Sequence, residues 1–162
     1  MNKITTLLLD ASIVCLNTAS SKKRALESLS GLIVTDHAEI TQHEVFESLF
    51  CRERLGSTGL GHGVAIPHGR SKNITRPIGA FMRLKQGVDY DAPDGEPVDL
   101  VFALLVPDDC TNEHLEILAV LAEMFSDGEV CKRLRLAKSG REIMSVFAAW
   151  QETPISRASG EY

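Results

Sequence analysis

The sequence predicts an α/β domain in which a mixed β-sheet lies between two layers of helices. The run of residues 98–106 is apolar nearly throughout, which is typical of a central strand buried on both faces. Segments with helical apolar spacing occur both before and after the strand-like middle of the chain, so helices are available for both faces of the sheet. We therefore expect a three-layer α/β/α domain with the element order β-α-α-β-β-β-α-α-α.

One strand and two helices account for the first part of this order. Residues 12–16 form a short β-rich run, and Ser20 is the expected cap of the helix that follows. Thr41 and Glu44 have the spacing of a capping box, which predicts the start of a second helix. The residues with helical spacing that should face the core are Ala25, Leu26, Leu29, Leu32, Ile33, Val45, Phe46, Leu49 and Phe50.

Three strands and three helices account for the rest. The strand-like segments, separated by turn-forming Gly, Pro and Asp clusters, are residues 64–66, 78–84 and 98–106. The last three helices should begin near Thr111, Asp127 and Ser139, each of which is a capping residue ahead of an apolar period. The residues expected to face the core are Leu115, Leu118, Leu121, Ala122 and Phe125, then Ile143, Val146, Phe147 and Trp150.

Length and composition predict one soluble domain. A chain of 162 residues with 44% apolar composition can bury one substantial core but not two. We expect residues 1–150 to form this domain and residues 151–162, which lose the periodicity, to form a flexible tail. The net charge of -5 argues against nucleic acid or an anionic membrane as a partner. No apolar run approaches the roughly 20 residues of a membrane-spanning helix.

The four cysteines lie far apart in the sequence and form no CxxC pair. This spacing indicates neither a zinc site nor a redox motif. We therefore expect reduced, structural thiols, as in a cytoplasmic protein.

Residues 55–70 contain five glycines and form the most unusual segment of the chain. Glycine permits positive φ and close approach of the backbone to a ligand, so one interpretation is a loop that offers N–H groups to an anion. The other interpretation is a tight turn before a strand. The glycine spacing fits neither the dinucleotide-binding fingerprint nor a nucleophile elbow.

His68 is the candidate nucleophile. Pro67 fixes φ and removes a backbone donor, and Gly69 is expected to leave open space beside the imidazole. A neutral imidazole is nucleophilic near pH 7 when its other nitrogen is held by an acceptor such as a backbone carbonyl. Phosphoryl transfer fits this chemistry, and a turn histidine without a function is the alternative.

Two further side chains suit an anion. His114 lies about three residues inside a predicted helix start, where free N–H groups and the helix dipole attract negative charge. Arg52, at the predicted end of the second helix, offers the planar fork that fits phosphate, and Arg54 is the competing candidate. Solvent-exposed polar residues are the alternative for each. A metal site formed by His62, His68 and His114 lacks carboxylates to complete its shell, so we predict neither metal nor cofactor.

Three motifs resemble the mannitol/fructose-type enzyme IIA family of bacterial phosphotransferase systems. They are RERLGSTGLG at residues 52–61, AIPHG at residues 65–69 and NEH at residues 112–114. The resemblance covers roughly residues 4–150. The Gly-Ser-Thr-Gly version of the first motif and the length of a single stand-alone domain resemble the nitrogen-regulatory branch.

The resemblance implies that His68 accepts a phosphoryl group from an HPr-type phosphohistidine carrier protein, which an enzyme I charges from phosphoenolpyruvate. It also implies that His114 and Arg52 stabilise the phosphate, with Ser57 and Thr58 as neighbours able to bind it. A member of the nitrogen branch signals through its phosphorylation state to other proteins, potassium-transport and sensor-kinase components among them. The alternative is a sugar-specific enzyme IIA that passes the phosphoryl group to an enzyme IIB.

Overall fold

A mixed sheet covered on both faces by helices forms the molecule, as the sequence predicts. The computed structural model describes residues 2–8, 12–109 and 112–151. The strands are β1 (Ile13–Asn17), β2 (Gly59–Gly61), β3 (Val64–Ala65), β4 (His68–Ser71), β5 (Ile78–Val88) and β6 (Val98–Pro107). The helices are α1 (Lys22–Val34), α2 (Gln42–Leu55), α3 (Asn112–Phe125), α4 (Gly128–Leu136) and α5 (Gly140–Ala149), and a short 3-10 turn spans Thr5–Leu7.

Strand β6 lies at the centre of the sheet, which confirms the prediction for the longest apolar run. It pairs antiparallel with β5 on one side and parallel with both β3 and β4 on the other. The main strand order is β1-β5-β6-β3-β2, and β1 runs parallel to β5. In this register His68, the first residue of β4, lies beside Leu104.

The alternation of side chains along β5 and β6 creates two cores. One face packs against α3, α4 and α5, and the other packs against α1 and α2. The strand residues of the first core are Phe81, Leu100, Phe102, Leu104 and Val106, and those of the second are Ala80, Met82, Val101, Ala103 and Leu105. A strand buried on both faces must be apolar at successive positions, which is the pattern visible in the sequence.

Two short strands were not predicted. Strands β2 and β4 have three and four residues, and the letters GLG and HGRS carry no alternating apolar pattern. They are strands because of their neighbours: β2 pairs with β3, and β4 pairs with β6. Backbone pairing across the sheet therefore decided these elements, since the local propensity of such sequences for a strand is low.

The predicted helix starts are largely confirmed. The hydroxyl of Thr41 accepts a hydrogen bond from the backbone N–H of Glu44, and Asp127 and Ser139 cap α4 and α5. The cap of α1 is Ser21 rather than Ser20, because the Ser21 side chain accepts from the N–H of the third helical residue. The predicted cap Thr111 lies outside the described residues.

The predicted core face of α3 was wrong at Leu115, which is 65% exposed. The side of α3 that meets the sheet includes His114, Ile117 and Leu121. These residues follow the spacing i, i+3, i+7, so the turn that points Ile117 inward points Leu115 outward. The predictions for Leu121 and Phe125 are confirmed, since both are buried.

None of the helices in the described part of the chain is both long and apolar enough to cross a bilayer. Apart from residue 151, the predicted tail of residues 151–162 lies outside the described residues.

Candidate active site

The sheet brings His68 and His114 together from distant parts of the sequence. His68 opens β4, which runs parallel to β6, and α3 follows β6 in the chain. The two imidazole rings lie edge to face, with their centroids 5.2 Å apart and their planes at 68°. These two candidate residues therefore belong to one site.

One hydrogen bond orients the His68 ring. Its Nδ1 lies 2.9 Å from the carbonyl oxygen of Ile66. A carbonyl oxygen only accepts, so Nδ1 carries the proton and donates, and Nε2 keeps its lone pair. Burial is the main cause that lowers the pKa of His68, and the charges of Arg52 and Arg70 lower it further, while the hydrogen bond to Ile66 and the negative charge of Glu53 act in the opposite direction. The ring is thus neutral near neutral pH, with a lone pair on Nε2.

His114 is the more buried of the two histidines, with 7% of its surface exposed. Burial lowers the pKa of His114, and the positive charges of Arg70 and Arg52 act in the same direction. Its Nδ1 is buried and has no hydrogen-bond partner among the described residues. A buried ring nitrogen without a partner costs free energy, which is the kind of cost that functional sites carry.

Arg52 lies in the last turn of α2, and its charge reaches both histidines. The Nη1 of Arg52 donates to the carbonyl of Gly56 at 2.9 Å. Arg54 instead holds its guanidinium 5.9 Å from the ring centroid of Phe50 on the same helix. This arrangement favours Arg52 over Arg54 as the cation of the site.

Ser57 and Thr58 already use their hydroxyl groups within the protein. The Ser57 hydroxyl donates to the backbone carbonyl of Tyr90 at 2.8 Å and accepts from the N–H of Gly59 at 3.1 Å. The Thr58 hydroxyl is hydrogen-bonded to the carboxylate of Glu53, and Thr58 is buried. Phosphate binding by either residue stays a prediction.

Arg70 is a candidate that the sequence analysis missed. It lies two positions after His68 in β4, so both side chains leave the strand on the same side. Its Nη1 donates to the carbonyl of Asp108 at 3.0 Å, just beyond the end of β6, and its charge lowers the pKa of both histidines. The spacing of two would have identified it if β4 had been recognised as a strand.

The interpretation of Gly69 as a source of open space was wrong. A Cβ at Gly69 would overlap the Ser48 Oγ and lie 3.0 Å from the Ser48 Cβ. The Ser48 hydroxyl fills this place, accepts from the N–H of Arg70 at 2.8 Å and donates to the carbonyl of Arg70 at 2.9 Å. Gly69 is therefore a point of close contact between α2 and β4.

Two of the glycines before His68, Gly61 and Gly63, lie in a tight turn. Strands β2 and β3 are a hairpin in which Gly61, His62 and Gly63 all have positive φ. The structure thus follows the tight-turn interpretation of this segment. The His62 carbonyl accepts from Arg135 Nη2 at 2.7 Å, and in residues 2–8, 12–109 and 112–151 no three His, Cys, Asp or Glu side chains are grouped so as to hold a metal.

Comparisons with known proteins show which family the chain belongs to. Residues 6–150 match the family described as "Phosphoenolpyruvate-dependent sugar phosphotransferase system, EIIA 2". A nitrogen regulatory protein of Escherichia coli (strain K12) is 44% identical over 135 residues, which cover 83% of this chain and 82% of the relative. One from Bradyrhizobium diazoefficiens is 40% identical over 148 residues, covering 90% and 94%.

A solved structure is similar as well. The crystal structure of nitrogen regulatory protein IIA-Ntr from Neisseria meningitidis is 43% identical, covers 90% of this chain and 99% of that chain, and superimposes with a TM-score of 0.84. The chain therefore belongs to the EIIA 2 family of the phosphoenolpyruvate-dependent sugar phosphotransferase system and is similar to its nitrogen regulatory proteins.

Proposed function

We propose that this protein is a regulatory phosphocarrier that accepts a phosphoryl group on Nε2 of His68 from an HPr-type phosphohistidine carrier protein. The observation that carries the proposal is the hydrogen bond from His68 Nδ1 to the Ile66 carbonyl, 2.9 Å long. It leaves Nε2 as the nucleophilic nitrogen of a half-buried, neutral ring. We further propose that residues 1–150 act as one domain and that the protein works in the cytoplasm.

The transfer requires few steps. The Nε2 lone pair of His68 attacks the phosphorus of the carrier's phosphohistidine while the phosphorus–nitrogen bond of the carrier breaks. The electron pair of that bond returns to the carrier's imidazole, which leaves as a neutral ring. The Nδ1 proton of His68 stays in place, and its bond to the Ile66 carbonyl stabilises the positive charge that develops on the ring.

Arg52 and His114 are the proposed supports for the phosphoryl oxygens. Phosphoryl transfer gains most from positive charge and donors that are in place before the reaction. Arg52 offers a fixed positive charge, and the His114 ring lies against the His68 ring at 5.2 Å between centroids. Neither residue forms the covalent bond in this proposal.

The regulatory role is supported by the similarity to nitrogen regulatory proteins. In this proposal the product is a signal, and target proteins distinguish the phosphorylated from the unphosphorylated chain. Potassium-transport and sensor-kinase components are the proposed kinds of target. A sugar-specific enzyme IIA that passes the phosphoryl group to an enzyme IIB is the second candidate, because the family description names a sugar phosphotransferase system.

A phosphorylation assay tests the acceptor. Incubation with phosphoenolpyruvate, enzyme I and the carrier protein should give one acid-labile phosphohistidine per chain. His68→Ala should remove it, whereas His43→Ala, at an exposed position of α2, should not. Equal phosphorylation of the His68→Ala variant would refute the assignment.

A deletion strain separates the two roles. Loss of a regulatory protein should leave the uptake of mannitol and fructose intact and alter nitrogen- or potassium-linked responses. Loss of uptake of a single sugar would support the sugar-specific role instead.

A further inference from the structure

A buried carboxylate lies beside the proposed site and has no part in the transfer step described above. Glu53 follows Arg52 in the last turn of α2, and only 6% of its surface is exposed. Burial of an ionised carboxylate is costly unless it is fully paired and hydrogen-bonded. The contacts of Glu53 therefore need an explanation.

Four contacts satisfy the carboxylate. The Oε2 of Glu53 pairs with Lys22 Nζ at 2.8 Å and accepts from the backbone N–H of Thr58 at 3.2 Å. The Oε1 accepts from the Tyr90 hydroxyl at 3.0 Å and from the Thr58 hydroxyl. Burial raises the pKa of Tyr90, so its phenol keeps the proton that it donates. We call Lys22, Glu53, Thr58 and Tyr90 the Glu53 network.

The Glu53 network joins segments that are far apart in sequence. Lys22 begins α1, Glu53 lies in the last turn of α2, Thr58 precedes β2, and Tyr90 lies between β5 and β6. Buried ion pairs contribute little net stability, since desolvation offsets most of their attraction, and apolar side chains often serve a core as well. A buried polar network whose members are all hydrogen-bonded does, however, make its surroundings more rigid.

Residues 56–58 connect the Glu53 network to Arg52. The backbone N–H of Gly56 donates to the Glu53 carbonyl at 3.1 Å, and Thr58 is tied to the Glu53 carboxylate through both its N–H and its hydroxyl. Gly56 is thus held on both sides. Its carbonyl accepts from Arg52 Nη1 at 2.9 Å.

We propose that Glu53 is a positioning residue for phosphoryl transfer, which acts by fixing residues 56–58 so that the Gly56 carbonyl holds the Arg52 guanidinium in the site before a phosphoryl group arrives. This inference rests on the proposed function. A donor that is already in place requires no reorganisation during the reaction, and this is the main source of electrostatic catalysis. An arginine free at a helix end would first have to lose its rotamer freedom. In this proposal Glu53 acts through Thr58, whose N–H and hydroxyl are both hydrogen-bonded to its carboxylate.

The main test combines Glu53→Gln with Arg52→Ala. Glutamine keeps the size of the side chain but removes the charge that pairs with Lys22. Rapid-quench measurement of transfer from the carrier should show a rate about tenfold lower in Glu53→Gln, with the same final extent of phosphorylation at His68. Because Glu53 acts through Arg52, the double variant should be no slower than Arg52→Ala alone. Independent structural damage would instead multiply the two losses.

Controls separate this effect from a loss of folding. Glu47→Gln removes an exposed carboxylate from the same helix and should transfer at the wild-type rate. Tyr90→Phe removes one hydroxyl from the network and keeps the ring, so it serves as a second variant if Glu53→Gln does not fold. It should slow transfer in the same direction.

NMR relaxation of the arginine side chains gives a readout that does not depend on transfer. The guanidinium of Arg52 should be ordered in the wild type and mobile in Glu53→Gln, while that of Arg54 should be unchanged. An unchanged Arg52, or a double variant whose losses multiply, would overturn the positioning role. Absence of phosphorylation in the wild type would instead refute the proposed function, and the NMR result would still decide the role of Glu53.

Discussion

At the scale of the residue, His68 combines partial burial with one fixed hydrogen bond. The bond to the Ile66 carbonyl selects the tautomer, and burial together with two arginine charges keeps the ring neutral. A neutral imidazole with a free Nε2 needs no separate base to act as a nucleophile. In the proposed function, the same arginine charges attract the anionic phosphoryl group.

The histidine pKa values provide the first prediction. The pKa of His68 should lie below the ordinary value of about 6.5, and Arg70→Ala should raise the pKa of both His68 and His114, because a positive charge that disfavours protonation is removed. NMR titration of the ring protons measures both values. Lys72→Ala, which changes an exposed position beyond β4, is the matched control.

The same shift makes stability depend on pH. Between the lowered folded pKa of His68 and about 6.5, the unfolded chain binds more protons than the folded one. The free energy of unfolding should therefore fall as the pH falls from about 6.5 through the folded pKa. Urea titrations at several pH values should show a weaker dependence over this range in His68→Gln than in the wild type.

The second prediction concerns the supports of the phosphoryl group. His114→Ala and Arg52→Ala should each keep a phosphorylatable His68 but transfer more slowly, by a factor on the order of ten to a thousand. Arg52→Lys should recover only part of the rate, because a point charge cannot reproduce the planar fork. Rapid-quench kinetics, with folding checked by circular dichroism, measures this. Wild-type rates in both alanine variants would make the two residues a structural histidine and a helix-end arginine.

At the scale of the element, the site depends on how α2 packs against β4. The Ser48 hydroxyl of α2 bonds to both backbone groups of Arg70, and Gly69 allows this approach. Strand β4 is four residues long, so this contact and its pairing with β6 hold His68 in place. The position of the His68 backbone thus depends on the packing of α2 against β4, whereas the hydrogen bond to Ile66 orients the ring.

The third prediction follows from this contact. In Gly69→Ala the new methyl group meets Ser48, so α2 or β4 must shift, at a cost of about 1–3 kcal/mol in the free energy of unfolding. Transfer to His68 should slow as well. Gly128→Ala is the control, since nothing lies within 4 Å of its Cβ position in α4, and it should be neutral or slightly stabilising. Urea unfolding of both variants checks the difference, and equal stability would contradict the close contact.

At the scale of the whole molecule, the sheet separates two hydrophobic cores that differ in how close they lie to the candidate site. One core is shared with α1 and α2, and α2 is the helix that carries Arg52 and Glu53. The opposite core contains a cluster of four aromatic rings, Phe81, Phe102, Phe125 and Phe147. Of its helices, α3 carries His114, whereas α5 carries no candidate site residue.

The fourth prediction uses this division. Phe147 of α5 is fully buried, and its ring centroid lies 5.1 Å from that of Phe81. Phe147→Ala should lower the free energy of unfolding by about 3–5 kcal/mol while the transfer rate of the folded protein stays near that of the wild type. Leu136→Ala, at an exposed position, should change stability by less than about 0.5 kcal/mol. Denaturant unfolding and transfer kinetics on the same samples decide whether stability and transfer separate in this way.

The sequence by itself determined the elements whose cause is local. These elements depend on residues only a few positions apart in the sequence. They are the apolar periodicity of α1, α2 and α5, the caps Thr41, Asp127 and Ser139, and the burial of β6 on both faces. The nucleophile candidate also came from the sequence, because Pro67-His68-Gly69 and its surrounding motifs are contiguous. The resemblance to the nitrogen-regulatory branch rested on the contiguous Gly-Ser-Thr-Gly motif together with the length of the domain.

Only the tertiary structure decided which residues meet. The pairing of β4 with β6 brings His68 to His114 and gives Arg70 its place, and neither β2 nor β4 has a local signal strong enough to reveal it. Because α2 packs against β4, Gly69 is a point of close contact with Ser48 rather than a source of open space. The hydroxyl of Thr58 is hydrogen-bonded to Glu53. Contacts between distant segments depend on which strands pair across the whole sheet and in which register. The spacing of neighbouring residues does not determine that pairing.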